Sequence, residues 1–144
     1  MEFKNSKKLY SKAKNLVPGG VSSSIRQTEW PVPLFFEKAH GSKMWDVDGN
    51  IFIDYVMGMG PNIFGHAPEF VTQSVYEDMQ NGYCLTGQTE KENEISEFIQ
   101  KTIPFKRKVR YASSGTEIVQ VALRLARSYT NKNKFLKFEG HYHG

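Results

Sequence analysis

Only one cysteine, Cys84, occurs among the 144 residues. An internal disulfide is therefore excluded, and without a partnering motif the thiol reads as a small apolar side chain rather than a nucleophile. Disulfide-stapled secreted scaffolds drop out, and a reducing, cytoplasmic setting is expected. Long apolar runs are missing as well. No stretch approaches the roughly 20 apolar residues of a membrane helix, and the polar, lysine-bearing first residues hold no apolar leader. No membrane partner is expected. Internal repeats and low-complexity tracts are also absent.

What is present is material for a core. Apolar residues make up 39% of the chain and charged residues 24%, with ten Phe, seven Tyr and two Trp, which is too much core-forming material for a disordered tail. The formal charge of +4 comes from lysines and arginines interrupted by other residues, chiefly at 4–14 and 101–110. These clusters read as a solvated helix face and a loop rather than a nucleic-acid surface. The excess favours small anionic ligands.

Leu9, Ala13 and Leu16 recur at helical spacing and predict a helix over 5–16, stopped by Pro18-Gly19-Gly20. Residues 21–33 carry no period and read as a loop bearing Arg26 and Trp30. Three short apolar runs follow, 34–39, 44–47 and 51–55, with Asp48-Gly49 between the last two. That dipeptide is a strong hairpin signal, because glycine accepts the positive φ of the turn. A small antiparallel meander is predicted. Beyond a Gly-rich connection, helices are expected over 68–80 and 89–99, the second opened by a capping box of Thr89 and Glu92.

The last segment reads as strand (109–112), tight loop (113–116), helix (117–129) and strand (134–138). Ile118, Val121, Ala122, Leu125, Ala126 and Tyr129 form one apolar stripe on that helix. A strand, crossover helix and strand imply a parallel sheet, so the fold class is α/β. Ligands of such sheets collect at the carboxyl ends of the strands. Two loops are placed at that edge, 113–116 and 139–144.

In the first loop Gly115 admits close backbone approach, Ser113, Ser114 and Thr116 offer hydroxyls, and the helix start offers free N–H groups, a combination that suits phosphate. The competing reading is a plain capping box of Ser114 and Glu117. In the second loop Tyr142 can lie flat on a ligand ring. His141 and His143, with no third ligand in sight, make only a weak zinc signal, and no metal is assigned.

Taken in order, the segments Leu16-Val17-Pro18-Gly19-Gly20-Val21, Trp45-Asp46-Val47-Asp48-Gly49-Asn50, Ile53-Asp54-Tyr55-Val56, Gly60-Pro61 to Gly65-His66-Ala67, Thr89-Glu90, Ser113-Ser114-Gly115-Thr116-Glu117, Arg124-Leu125-Ala126-Arg127, and Lys137-Phe138-Glu139-Gly140 to Tyr142-His143-Gly144 resemble the class III pyridoxal-phosphate-dependent aminotransferases, in particular the glutamate-1-semialdehyde aminomutases. The resemblance runs nearly end to end. It implies the N-terminal portion of a fold type I transferase: a helix, substrate loop and meander over 1–60, then the start of the large parallel-sheet domain over 61–144.

The resemblance further implies pyridoxal 5'-phosphate as cofactor, with its phosphate on Ser114, Gly115 and Thr116 and its ring under Tyr142. A small amino-acid or amino-aldehyde substrate would be received by Ser23 and Arg26. Met59 stands where the aminomutases carry Trp beside the substrate, which leaves open another class III enzyme acting on a different amine or amino acid. The lysine that bonds to the cofactor lies far downstream in the family, so no catalytic residue is assigned here. The chain is then expected to be an inactive fragment of an enzyme that is dimeric when whole. A non-catalytic dimerisation or binding module is the reading from another class.

Overall fold

The computed structural model describes residues 1–103 and 108–141. The chain forms two compact units, Met1–Cys84 and Leu85–Gly144. The expected division between residues 60 and 61 does not coincide with that boundary.

In the first unit, α1 (Lys4–Ala13) is followed by a 3-10 turn at Pro18–Gly20 and another at Ser24–Thr28. The helix ends at Ala13, earlier than the expected 16, and the Pro-Gly-Gly segment forms a separate turn in which Gly19 and Gly20 take φ of +67° and +74°. Gly20 also lies against the Tyr10 ring, where a Cβ would come within 2.7 Å. The meander is β1 (Phe36–His40), β2 (Lys43–Asp46) and β3 (Ile51–Ile53), antiparallel in that order. Gly49 takes the predicted positive φ, +82°, in the β2 to β3 turn.

That turn is fastened from inside. Asp46, only 1% exposed, accepts from the Asp48 N–H (3.0 Å), the Asn50 N–H (2.8 Å) and the Asn50 amide (2.8 Å). The next helix, α2 (Glu69–Met79), belongs to the first unit, with Phe64 packed edge-on against Phe70 at 5.3 Å. Among the described residues Val32 is the single buried large apolar side chain, and the two fully buried side chains, Asp46 and Ser6, are polar.

The second unit holds α3 (Glu90–Thr102) and α4 (Gly115–Thr130). Thr89 caps α3 without a side-chain hydrogen bond, so the Thr89 and Glu92 box is not formed; only the Glu92 N–H reaches the Thr89 carbonyl, at 3.2 Å. The apolar stripe of α4 is half-buried at Ile118 and Val121 and exposed at Leu125 and Tyr129.

Segments 109–112 and 134–138 do not pair as strands here. A lone parallel pair is marginal without further strands beside it, and no neighbouring strand is available among the described residues of this unit. Side chains hold these segments instead. Tyr111 and Ser96 share a hydroxyl hydrogen bond at 2.9 Å, and Arg127 donates to the Asn133 carbonyl at 2.9 Å while lying over the Phe135 ring. The chain reaches Asn133 because Asn131 ends α4 in the left-handed conformation, φ +55°. Among the described residues the architecture is α/β, with four helices and a three-stranded antiparallel sheet, and no helix is long and apolar enough to cross a membrane.

Candidate functional site

Two groups of the residues singled out from sequence are ordered by local structure, one in each unit. In the second unit the start of α4 is a closed cap. The Ser114 hydroxyl accepts from the Glu117 N–H at 3.2 Å, and the Glu117 carboxylate accepts from the Ser113 N–H at 2.9 Å. The hydroxyl half of the capping box is formed, while its carboxylate half closes on Ser113, the residue before the N-cap. The cap uses only part of the available donors. No group among the described residues accepts from the N–H of Gly115 or Thr116 or from the Thr116 hydroxyl. These donors sit at the positive end of a 16-residue helix.

Gly115 itself is unforced. Its φ is not positive, and a Cβ added there would meet nothing within 4 Å. Neither backbone conformation nor crowding among the described residues requires glycine here, and the two N–H groups that open the helix have no acceptor among those residues. That geometry fits a phosphate oxygen. Tyr142, the expected ring platform, and His143 lie outside the described residues. Before them the chain turns at Gly140, φ +76°, and His141 packs against Phe138 with ring centroids 5.3 Å apart.

In the first unit Ser23 and Arg26 are brought together by one 3-10 turn, in which the Arg26 N–H donates to the Ser23 carbonyl at 3.0 Å. The turn is tied back to Pro18–Gly20: both the Tyr10 hydroxyl and the Gln27 side-chain amide donate to the Gly19 carbonyl at 3.3 Å. Arg26 is exposed, and among the described residues no carboxylate pairs with it. An unpaired guanidinium on a braced turn can take a carboxylate through two parallel hydrogen bonds.

Met59 is presented differently, on the connection between β3 and α2. Met57, Gly58, Met59 and Gly60 have φ of +51°, +62°, +67° and +112°, four consecutive left-handed residues. For a non-glycine residue this conformation costs about 1–2 kcal/mol, and such strain gathers at functional loops. The Met59 side chain is 74% exposed.

Sequence reasoning gave no role to the residues that hold this loop. One carboxylate oxygen of Asp54 accepts from the N–H groups of Val56 (2.8 Å) and Met57 (2.9 Å), and the other meets His66 Nε2 at 2.7 Å. These contacts depress the Asp54 carboxyl below its ordinary 3.8, led by the Met57 N–H; burial opposes the shift, and the His66 side chain and Val56 N–H add to it. The available signal was an aspartate directly after a strand and before a Gly-rich loop, the position for a side chain that bonds backbone two residues on.

Comparison with known proteins bears on the family and the fold. The sequence profile of the family Aminotransferase class-III matches residues 24–144. A glutamate-1-semialdehyde 2,1-aminomutase from Macrococcus caseolyticus is 45% identical over 146 residues, an alignment covering all of this chain and 34% of that protein. Among solved structures, a transaminase with PLP bound superposes with a TM-score of 0.91 at 32% identity, over 100% of this chain and 34% of that one. A glutamate-1-semialdehyde aminomutase from Pseudomonas aeruginosa PAO1 gives 0.83 at 25% identity, over 97% and 31%. The chain spans about a third of the length of the relatives it matches.

Proposed function

Because this chain belongs to the class III aminotransferases, we propose that it supplies the phosphate-holding and substrate-receiving portions of a pyridoxal-phosphate enzyme that moves an amino group. The observation that carries the proposal is the start of α4, where the N–H groups of Gly115 and Thr116 have no acceptor among the described residues and an added Cβ at Gly115 would be uncrowded. Bound there, pyridoxal phosphate supplies the electron sink that amino transfer requires. Ser114, Gly115 and Thr116 would hold its phosphate, and Tyr142 is the residue proposed for its ring.

Arg26 takes the carboxylate of a small amino acid or amino aldehyde, with Ser23 one turn away and Met59 bounding the substrate. The reaction favoured is the intramolecular transfer named for the aminomutase relatives. A second reading, amino transfer on a different amine or amino acid, draws on Met59, whose flexible thioether stands where the resemblance to the aminomutases implies Trp and would leave a differently shaped wall. For the whole enzyme we propose a cytoplasmic homodimer. The exposed, unpaired thiol of Cys84 suits a reducing compartment, and exposed apolar side chains on α4 such as Leu125 and Tyr129 suit burial by further protein.

The test is a titration of the purified 144-residue chain with pyridoxal phosphate, followed by visible absorbance, with inorganic phosphate as competitor and mass mapping after borohydride. Saturable binding displaced by phosphate, with no single lysine reduced onto the cofactor and no amino transfer, is the expected result. Binding indifferent to phosphate would contradict the assignment of 114–116. Specific reduction onto one lysine would contradict the assignment of no catalytic lysine to these residues.

A further inference from the structure

The sequence of the 57–60 turn does not explain its shape. Two glycines tolerate a left-handed backbone, but Met57 and Met59 do not favour it, and Met59, being 74% exposed, has little buried side chain to fix it. Its direction is therefore set by the backbone, and the backbone is set by what closes the loop. We propose that Asp54 and His66 are positioning residues that hold the 57–60 turn left-handed and so fix where Met59 is presented. The proposal rests on the reading of Met59 as a substrate-side residue.

One carboxylate clasps both ends of the loop. Its Oδ1 receives the N–H groups of Val56 and Met57 at the entry, and its Oδ2 receives His66 at the exit, at 2.7 Å. The Asp54 side chain is only 4% exposed and that of His66 19%, so water competes weakly for the contact. His66 is itself anchored through its backbone, exchanging hydrogen bonds with Gly41 in both directions, 2.9 and 2.8 Å, at the β1 to β2 turn. Within the loop the Met57 carbonyl accepts from the N–H of Gly60 (3.0 Å) and of Asn62 (3.1 Å). The Asn62 side-chain amide faces His66 Nδ1 at 3.5 Å. With a donor beside Nδ1, the ring proton is assigned to Nε2, where it points at Asp54.

The clasp is separable from the fold around it. The Gly41 and His66 bridge is made by backbone atoms, and the meander's ladder does not use the imidazole. Removing the ring should therefore release the turn and leave the sheet.

The experiment is NMR on the isotopically labelled 144-residue chain. The one-bond Cα–Hα couplings of Met57 and Met59 report the sign of φ, and a long-range proton–nitrogen spectrum reports which nitrogen of His66 carries the proton. In the native chain both couplings should take the left-handed value and Nε2 should be protonated. In His66→Ala both couplings should move to averaged values while the amide shifts of 43–46 and 51–53 stay in place. His66→Gln, which returns an N–H donor at similar reach, should restore them.

Left-handed couplings that persist in His66→Ala would overturn the proposal. So would a His66→Gln variant as disturbed as His66→Ala. If His66→Ala fails to fold, the native spectrum still decides, because a proton on Nδ1 instead of Nε2 contradicts the clasp. Should Met59 prove remote from substrate, these couplings would be unchanged, so that failure would be told apart from this one.

Discussion

Asp48, at the β2 to β3 turn, caps a helix far upstream in the sequence, α1: it accepts from the Asn5 N–H at 2.6 Å, and from the Ser6 N–H and hydroxyl at 2.9 and 2.6 Å. Helix α1 has no cap of its own, since Phe3 at the N-cap offers no side-chain oxygen and the first turn has no acid. The hairpin supplies both the acceptor and the negative charge that a helix start requires. The Asp-Gly turn therefore does more than reverse the chain, for it binds the N-terminal helix to the sheet.

Removing the Ser6 hydroxyl tests that tie. Ser6→Ala should cost about 1 kcal/mol, the usual net worth of one hydrogen bond, read as a lower urea midpoint. Asp48→Ala, which strips all three acceptor contacts, should cost more and should lose the α1 amide pattern in NMR before the meander melts. Equal effects from the two variants would mean that the backbone capping bonds contribute nothing.

Acid should weaken the first unit. Burial alone would raise the Asp48 carboxyl, but the Ser6 hydroxyl and the N–H groups of Asn5 and Ser6 outweigh it and hold the group below its ordinary 3.8; Asp54 is depressed likewise. A carboxyl depressed by folding contributes stability that is complete above the unfolded value and lost as pH falls through the folded one. The urea midpoint should therefore be flat above about pH 5 and decline below the ordinary carboxylate range. In the Asp48→Asn, Asp54→Asn double variant the decline should be shallower from a lower plateau. An unchanged slope would remove both groups from the account.

Two glycines separate backbone strain from crowding. Gly41 and Gly65 both have positive φ, +55° and +80°, but an added Cβ meets nothing at Gly41, whereas at Gly65 it would lie 2.8 Å from the Gly41 carbonyl oxygen. Gly41→Ala should cost about 1 kcal/mol. Gly65→Ala should cost roughly 2–3 kcal/mol and break the bridge between Gly41 and His66. Thermal or urea unfolding of the two variants makes the comparison, and comparable losses would show that the close approach carries no weight.

These details mark how far the sequence could be read. Asp48-Gly49 announced its hairpin, and Ser114 with Glu117 announced the start of α4, because in each case the signal and the contact lie within a few residues. Thr89 with Glu92 carried the same letters without the bond, since the choice between side chain and backbone is made by local geometry. Strands at 109–112 and 134–138 were expected from composition, but strand formation depends on partners that composition does not contain. The capping of α1 by Asp48 and the pairing of Asp54 with His66 span 42 and 12 residues, and no periodicity connects them. The lack of period over 21–33 put Ser23 and Arg26 on a loop; the structure adds that one turn, tied back through Gln27 to the Gly19 carbonyl that Tyr10 also holds, carries both.

The role of the α4 start is tested most directly by adding a single methyl group. Gly115→Ala meets no atom within 4 Å and needs no unusual φ, and alanine is the better helix former, so the variant should unfold at the same temperature or slightly higher. A phosphate oxygen held by the N–H groups of residues 115 and 116 would have to share the helix start with the new Cβ. Dissociation constants for pyridoxal phosphate should therefore rise by roughly tenfold, a loss of about 1.4 kcal/mol, with stability intact. Native affinity in a folded Gly115→Ala chain would contradict the placement of the phosphate and, with it, the cofactor site proposed for these residues.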